Sequence, residues 1–261
     1  MYGMLHGIQG LLQERYVDLE DHIKNDLDIE LLKRTPSAYL GSCRFKLPDI
    51  SQDREIYDKI FDILNKLEIE YFFYIGGNDS MDTIKKLSDY SLLNGSNIRF
   101  MGVPKTIDND LAATDHTPGY GSAAKYIGSI TKEVIRDGLV YDQQNVTILE
   151  IMGRNAGWLT GAAALAKCED CEGPDMIFLP EVTFDVDEFM KKVAELHKKK
   201  KSVVVAVSEG VKTADGRYVC ELTDGIDFVD AFGHKQLTGT ARFLAEKINR
   251  EVGCKTRGNR I

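Results

Sequence analysis

Apolar and polar positions along the chain switch repeatedly between a period of three and four and short continuous apolar runs. In "DREIYDKIFDILNKLEIE" (53–70), Ile56, Ile60, Ile63, Leu64 and Leu67 share one face, which predicts a helix. The run "YFFYIGG" (71–77) is short and apolar and ends in glycines, the pattern of a buried strand. A helix follows in "SMDTIKKLSDYSLLNG" (80–95), closing on Asn94-Gly95, and then a strand in "NIRFMGV" (97–103). The second half repeats the alternation. "GYGSAAKYIGSITKEVIRDG" (119–138) reads as a helix, "NVTILEIM" (145–152) as a strand, and "GRNAGWLTGAAALAK" (153–167) as a glycine turn opening a helix. "MIFLP" (176–180) is a strand, and "DVDEFMKKVAELHKKK" (185–200) a helix with Asp185 and Glu188 at capping-box spacing. "SVVVAVSEG" (202–210) is a β-branched strand, "VKTADGRYVC" (211–220) a hairpin about Asp215-Gly216, and "KQLTGTARFLAEKINREVG" (235–253) a helix burying Leu237, Ala241, Leu244, Ala245 and Ile248.

Alternation of this kind predicts an α/β fold with a mostly parallel sheet covered on both sides. Ligands of such sheets bind beyond the carboxyl ends of the strands. Four loops stand there: "GGND" (76–79), "PKTIDND" (104–110), "MGRNAG" (152–157) and "SEG" (208–210). Any one could be an ordinary strand end. Together they bring Asn/Asp, Lys/Thr/Asp/Asp, Arg and Glu, which points to one polar site.

Composition narrows the classes. The chain has 261 residues, 43% hydrophobic and 28% charged, with a formal net charge of −8. That excess of acid argues against a nucleic-acid footprint. The one basic run, "HKKKKS" (197–202), lies where cations favour a helix end. No uninterrupted apolar stretch reaches the roughly 18 residues of a membrane span, and the N-terminus lacks a signal-peptide pattern, so a cytosolic protein without membrane or nucleic-acid partners is expected. The five cysteines suit a reducing compartment. Cys168 and Cys171 form a C-x-x-C, but Cys220 and Cys254 are too far apart in sequence to supply the second close pair of a structural zinc site.

The loop residues suggest phosphate chemistry. Gly76-Gly77 lets backbone N–H groups approach an anion, with a helix start at Ser80 favouring negative charge. Lys105 offers a point charge, and a neighbouring carboxylate can take a proton from an attacking hydroxyl.

"YIGGNDS", "PKTIDND", "MGRNAGW" and "VSEG", in this order and at these spacings, resemble the phosphofructokinase family over essentially the whole chain, from "GIQGLL" through "LGSCR" to the end. The Lys105 form of the second motif resembles the pyrophosphate-dependent branch, whose ATP-using relatives usually have glycine there. The resemblance implies two Rossmann-like three-layer lobes with mostly parallel sheets. Residues 1–121 would form the donor and catalytic lobe and 122–261 the sugar-phosphate lobe, with the active site between them. It implies transfer of a phosphoryl group from pyrophosphate to the 1-hydroxyl of fructose 6-phosphate, with Mg²⁺, in a homo-oligomer whose subunits share sugar-phosphate contacts.

By position, Asp108 resembles the general base, Asp110 its acidic partner near metal and sugar, and Thr106 a contact to the phosphoryl group or sugar. Arg44 resembles the arginine that neutralises the transferred group. Gly76, Gly77, Asn78, Asp79, Ser80 and Lys105 would bind the donor, and Met152, Gly153, Arg154 and Glu209 the sugar phosphate. Asn78 stands where the family commonly places an aspartate on Mg²⁺, so Asn78 and Asp110 are the candidate ligands. Asn145 stands where many members have an arginine for the 6-phosphate, a role left to Arg257 or Arg260. Asp79 replaces a glycine of ATP-using members. A carboxylate about 4 Å from a nucleotide's α-phosphate would repel it by about 4 kcal/mol at an effective dielectric of about 20. Against the family pattern the chain also looks truncated at both ends, the first lobe lacking its opening strand and Gly-rich turn, which implies weak or no activity for this polypeptide alone. The rival readings are an ATP-dependent 6-phosphofructokinase, a lipid or NAD kinase with a similar glycine turn, and a non-catalytic sugar-phosphate-binding or regulatory subunit.

Overall fold

The computed structural model of the chain describes residues 1–222 and 237–261. They fall into two compact units, one of residues 1–105 and one of residues 106–222 and 237–261.

The first unit opens with β1 (Tyr2–Met4), α1 (Gly7–Leu12) and β2 (Tyr16–Asp18), the two strands pairing antiparallel. The short helix α2 (Leu19–His22) and α3 (Asp26–Arg34) follow, α3 closed at its start by an Asn25–Asp28 capping box. Then come α4 (Arg54–Lys66), β3 (Tyr71–Gly76), α5 (Asn78–Leu93) and β4 (Arg99–Pro104). Asp53 caps α4 through the Ile56 N–H, and α4 buries Tyr57, Ile60, Phe61, Ile63 and Leu64. β3 and β4 pair parallel from Tyr71↔Arg99 to Gly76↔Pro104. Phe72, Ile84, Leu87 and Tyr90 join α4 and Leu47 in this unit's core. The strand expected to be buried at 71–77 is buried on one face only. Phe72 points inward at 8% exposure, whereas Phe73 and Ile75 are 60% and 68% exposed.

The second unit contains α6 (Tyr120–Leu139), β5 (Asn145–Ile151), α7 (Trp158–Gly161), β6 (Met176–Phe178), α8 (Val186–His197), β7 (Ser202–Ser208), α9 (Thr240–Val252) and β8 (Lys255–Arg260). Its sheet has the order β6-β7-β5-β8, parallel throughout. Every residue of β5 and β7 is buried, as central parallel strands covered on both faces must be. One side packs α8 and α9 around Phe189, Val193, Leu244 and Ile248; the other packs α6 and α7 around Ile127, Leu149 and Leu159.

Several expectations change here. The helix read at 153–167 shrinks to one α-turn and a 3-10 segment, Ala162–Ala166, where small residues let the chain close on α6; a Cβ on Gly128 would stand 3.0 Å from Leu165. Of the capping box at Asp185, the structure has the bond from the Glu188 N–H to the aspartate. The hairpin expected at 211–220 is present but short: one antiparallel bridge, Lys212↔Tyr218, with the Thr213 N–H donating to the Arg217 carbonyl at 2.9 Å and the Val219 N–H to the Val211 carbonyl at 3.1 Å. β8 was not foreseen, because "KTRGNR" carries no apolar residue; its place comes from pairing with β5. Lys235 and Gln236, at the start of the last expected helix, lie outside the described residues. The compact units divide after Lys105, and Asn109 and Thr117 tie residues 106–117 together ahead of α6: Thr117 Oγ1 donates to the Thr106 carbonyl at 2.6 Å.

Candidate active site

In each unit the polar loops leave the carboxyl ends of parallel neighbours: 76–80 and Lys105 from β3 and β4, and 152–157 and 208–210 from β5 and β7. The reason is geometric, since parallel strands joined by helices end on one edge of their sheet.

In the first unit the Lys105 N–H donates to the Gly76 carbonyl at 2.9 Å, which sets the lysine beside the glycine turn. A Cβ on Gly76 would lie 2.0 Å from Ser80 Oγ, so only glycine admits this approach. Gly77 is the cap residue of α5, and no side chain caps that helix start. The peptide N–H groups of Gly77, Asn78 and Asp79 therefore open a positive helix end. Asn78 and Lys105 are exposed, Asp79 and Ser80 half-buried. Arg44 is exposed, and its carbonyl accepts from Gln9 Nε2 at 3.4 Å. Tyr74, which sequence reasoning missed, links these parts. Its hydroxyl bonds with Ser80, Cys43 and the Ile8 backbone, and burial above all pushes its phenol up to about 12. The only sequence signal for it was a polar tip in an otherwise apolar run.

In the second unit, residues 106–117 form a pinned loop. The Asp108 N–H donates to Thr106 Oγ1 at 3.0 Å, turning the chain so that Asp108 is half-buried with Oδ1 shielded from solvent. Asn109 holds the loop from beneath. It is 7% exposed, with φ of 59°; Oδ1 accepts from the Thr117 N–H at 2.9 Å and Nδ2 donates to the Asp115 carbonyl at 3.1 Å. Asn109 was also missed. Its signal was an asparagine between aspartates, a residue type that tolerates the left-handed region. Asp110 is exposed.

Beyond β5 and β7 the chain packs tightly. Ser208 Oγ donates to the Gly153 carbonyl at 2.7 Å and accepts from the Gly210 N–H at 3.0 Å. A Cβ on Gly210 would stand 1.9 Å from the Arg154 carbonyl, and Gly153 has φ of 132°. Met152 is exposed and Arg154 half-buried. Glu209 is buried, accepts from Arg260 Nη2 at 3.1 Å and lies 3.5 Å from the Gly153 N–H. Burial pushes its carboxyl above the ordinary glutamate range, against the pull of Arg260 and of the Gly153 N–H; the charges of Glu150 and Asp108 push with burial. Asp108, Gly153, Glu209 and Arg260 thus form one electrostatic neighbourhood.

One expected residue lies elsewhere. Arg257 reaches Asp137 at 3.5 Å, and in an extended strand it faces opposite to Arg260. Asn145 sits at the amino end of β5, away from Met152, and its amide serves the fold by bonding Gly138 and Ser202.

The first unit has an uncapped helix start beside a lysine, and the second has neighbouring acids and a buried glutamate–arginine pair, residue types that phosphoryl-transfer sites use. Residues 1–260 match the phosphofructokinase family model, and the chain belongs to that family. It is 41% identical to the pyrophosphate–fructose 6-phosphate 1-phosphotransferase of Xanthomonas campestris pv. campestris (strain B100), covering 96% of this chain and 59% of that protein. It is 34% identical to the ATP-dependent 6-phosphofructokinase of Corynebacterium efficiens, covering 98% of this chain and 67% of that one. The solved pyrophosphate-dependent phosphofructokinase of Nitrosospira multiformis superimposes with a TM-score of 0.80 at 36% identity, over 99% of this chain and 59% of that one. The chain therefore spans about three fifths of the Xanthomonas relative's length. Among the described residues no helix is long and apolar enough to cross a membrane.

Proposed function

We propose that the chain serves phosphoryl transfer from pyrophosphate to the 1-hydroxyl of fructose 6-phosphate, giving fructose 1,6-bisphosphate. The observation that carries this reading is the Gly76↔Pro104 pairing with the Lys105-to-Gly76 bond, which joins the glycine turn, the uncapped start of α5 and a lysine on one sheet edge. Backbone donors at a helix start attract an inorganic anion, and the lysine adds a full charge. Asp79, in the first turn of α5, opposes a nucleotide whose α-phosphate comes near. The name of the Xanthomonas relative agrees with this donor.

On this reading Asp108 accepts the proton of the 1-hydroxyl as its oxygen bonds to phosphorus, and orthophosphate leaves. Thr106 fixes the turn that presents Asp108. Lys105 and Arg44 offset charge on the transferred group. Met152, Gly153, Arg154 and Glu209 hold the sugar phosphate together with Arg260. Arg257, paired with Asp137, is assigned no such role.

Asn78 and Asp110 are exposed oxygen donors, and among the described residues no group of three or more His, Cys, Asp or Glu could hold a metal. Such sparse oxygen ligation fits Mg²⁺, which takes one or two carboxylates and completes its shell with water and substrate phosphate. Bound there, it would neutralise charge on the diphosphate. A homo-oligomer is part of the proposal.

The test is a transfer assay with fructose 6-phosphate and either donor. Faster phosphorylation with pyrophosphate than with ATP supports the reading; faster phosphorylation with ATP refutes it in favour of the activity named for the Corynebacterium relative.

A further inference from the structure

The second unit carries two thiols on a tight turn, Cys168-Glu169-Asp170-Cys171, ahead of β6. The Cys168 N–H donates to the Cys171 carbonyl at 2.9 Å, and the Cys171 N–H to the Cys168 carbonyl at 3.2 Å. The two cysteines are thus a hydrogen-bonded antiparallel pair. Pairs of this kind hold their Cα atoms about 5.5 Å apart, within the reach of a disulfide. Their Cβ atoms stand about 5 Å apart, wider than an unstrained bond prefers, so a disulfide here is easily reduced.

Access differs between the two sulfurs' residues. Cys168 is exposed, whereas Cys171 is 8% exposed. An exposed thiol backed by a shielded one is the arrangement of an attacking and a resolving cysteine. Helix α6 supplies cations: Lys132 Nζ lies 3.1 Å from Cys168 Sγ and 2.7 Å from Asp170 Oδ1, and Arg136 pairs with the other Asp170 oxygen. Cys168 Sγ also lies 3.0 Å from Asp170 Oδ1 and 3.4 Å from the Ala166 carbonyl. The ammonium meets negative charge passing through sulfur during exchange. The other cysteines compete poorly. Burial pushes the Cys220 thiol up to about 11 and the Cys254 thiol upward too.

We infer that Cys168 and Cys171 form a reversible dithiol–disulfide site that reacts with small-molecule disulfides such as glutathione disulfide. Cys168 sulfur, its proton lost to solvent, attacks one sulfur of R–S–S–R, forming a mixed disulfide and expelling RS⁻. Cys171 sulfur, likewise deprotonated, then attacks Cys168 Sγ, forming the Cys168–Cys171 bond and releasing a second RS⁻. The protein loses two protons and two electrons, and the reagent becomes two thiols.

The test incubates the 261-residue chain in glutathione buffers of graded ratio, quenches with acid, alkylates, and reads the 168–171 peptide by mass spectrometry. The expected result is joint loss of both thiols as one intrapeptide disulfide, reversed by excess reduced glutathione. Cys171→Ser should stop at a persistent glutathione adduct on Cys168, and Cys168→Ser should leave Cys171 alkylatable. Lys132→Gln should slow adduct formation about twofold to fivefold. The inference fails if both thiols stay alkylatable in oxidising buffer. It fails equally if wild type stops at the mixed disulfide, or if Cys168 pairs with Cys43, Cys220 or Cys254.

Discussion

Replacing Asn109 by alanine should loosen the loop that presents Asp108 and Asp110. The side chain makes two hydrogen bonds, one from the buried Thr117 N–H and one to the Asp115 carbonyl. Each contributes about 1 kcal/mol net, and the stranded buried donor raises that figure. Alanine also inherits a φ of 59°, a left-handed conformation that costs about 1 kcal/mol more than in glycine. Together these give about 3 kcal/mol. Two companions divide the sum: Asn109→Gly keeps the backbone relaxed and should cost about 1 kcal/mol less than alanine, while Asn109→Asp keeps the acceptor for Thr117 but loses the donor to Asp115. Hydrogen exchange at the Thr117 amide, alongside denaturant unfolding, reads the effect locally and globally. Exchange should accelerate roughly a hundredfold in Asn109→Ala, the equivalent of about 3 kcal/mol. An Asn109→Ala chain with unchanged Thr117 exchange and stability within about 0.5 kcal/mol of wild type would refute the reasoning.

Other outcomes follow from the same geometry. Gly210→Ala, whose Cβ would stand 1.9 Å from the Arg154 carbonyl, should cost about 2 kcal/mol or more in denaturant unfolding; an unchanged midpoint contradicts the close packing of the two loops. Burial raises the Glu209 carboxyl above its ordinary value of 4.5, so the folded chain keeps a proton that the unfolded chain has released. Stability from this group therefore falls as pH climbs from 4.5 through the raised value, and Glu209→Gln should gain on wild type across that window; parallel pH profiles sink the assignment. Asp79→Gly combined with Lys105→Gly should move the ratio of pyrophosphate to ATP use toward ATP by about tenfold or more, measured as relative transfer rates. An unmoved ratio would mean that these two side chains do not choose the donor.

The loops were legible because they interrupt strong patterns. Apolar runs such as "SVVVAVS" must lie in the sheet interior, so the polar residues after them mark the strand ends. β8 was not legible, since a charged edge strand takes its place from backbone pairing rather than from an apolar face. The arginines show the consequence. Without β8, Arg257 and Arg260 were equivalent candidates, whereas a spacing of three along a strand sends them to opposite faces. Tyr74 and Asn109 escaped notice for another reason. Their work is hydrogen bonding to residues brought near only by folding, Ser80 and Cys43 for one and Asp115 and Thr117 for the other. The bare face of β3 was hidden too, because Phe73 and Ile75 are as apolar as the buried Phe72.

The proposed donor recognition at the start of α5 can be read without turnover. Hydrogen exchange of the Gly77, Asn78, Asp79, Ser80 and Lys105 amides, measured with inorganic pyrophosphate and then with ATP at equal concentration and with Mg²⁺, follows both turns of the first unit at once. Protection of these amides by pyrophosphate, and markedly less by ATP, is the predicted result. Equal or stronger protection by ATP, or none by either, would contradict it.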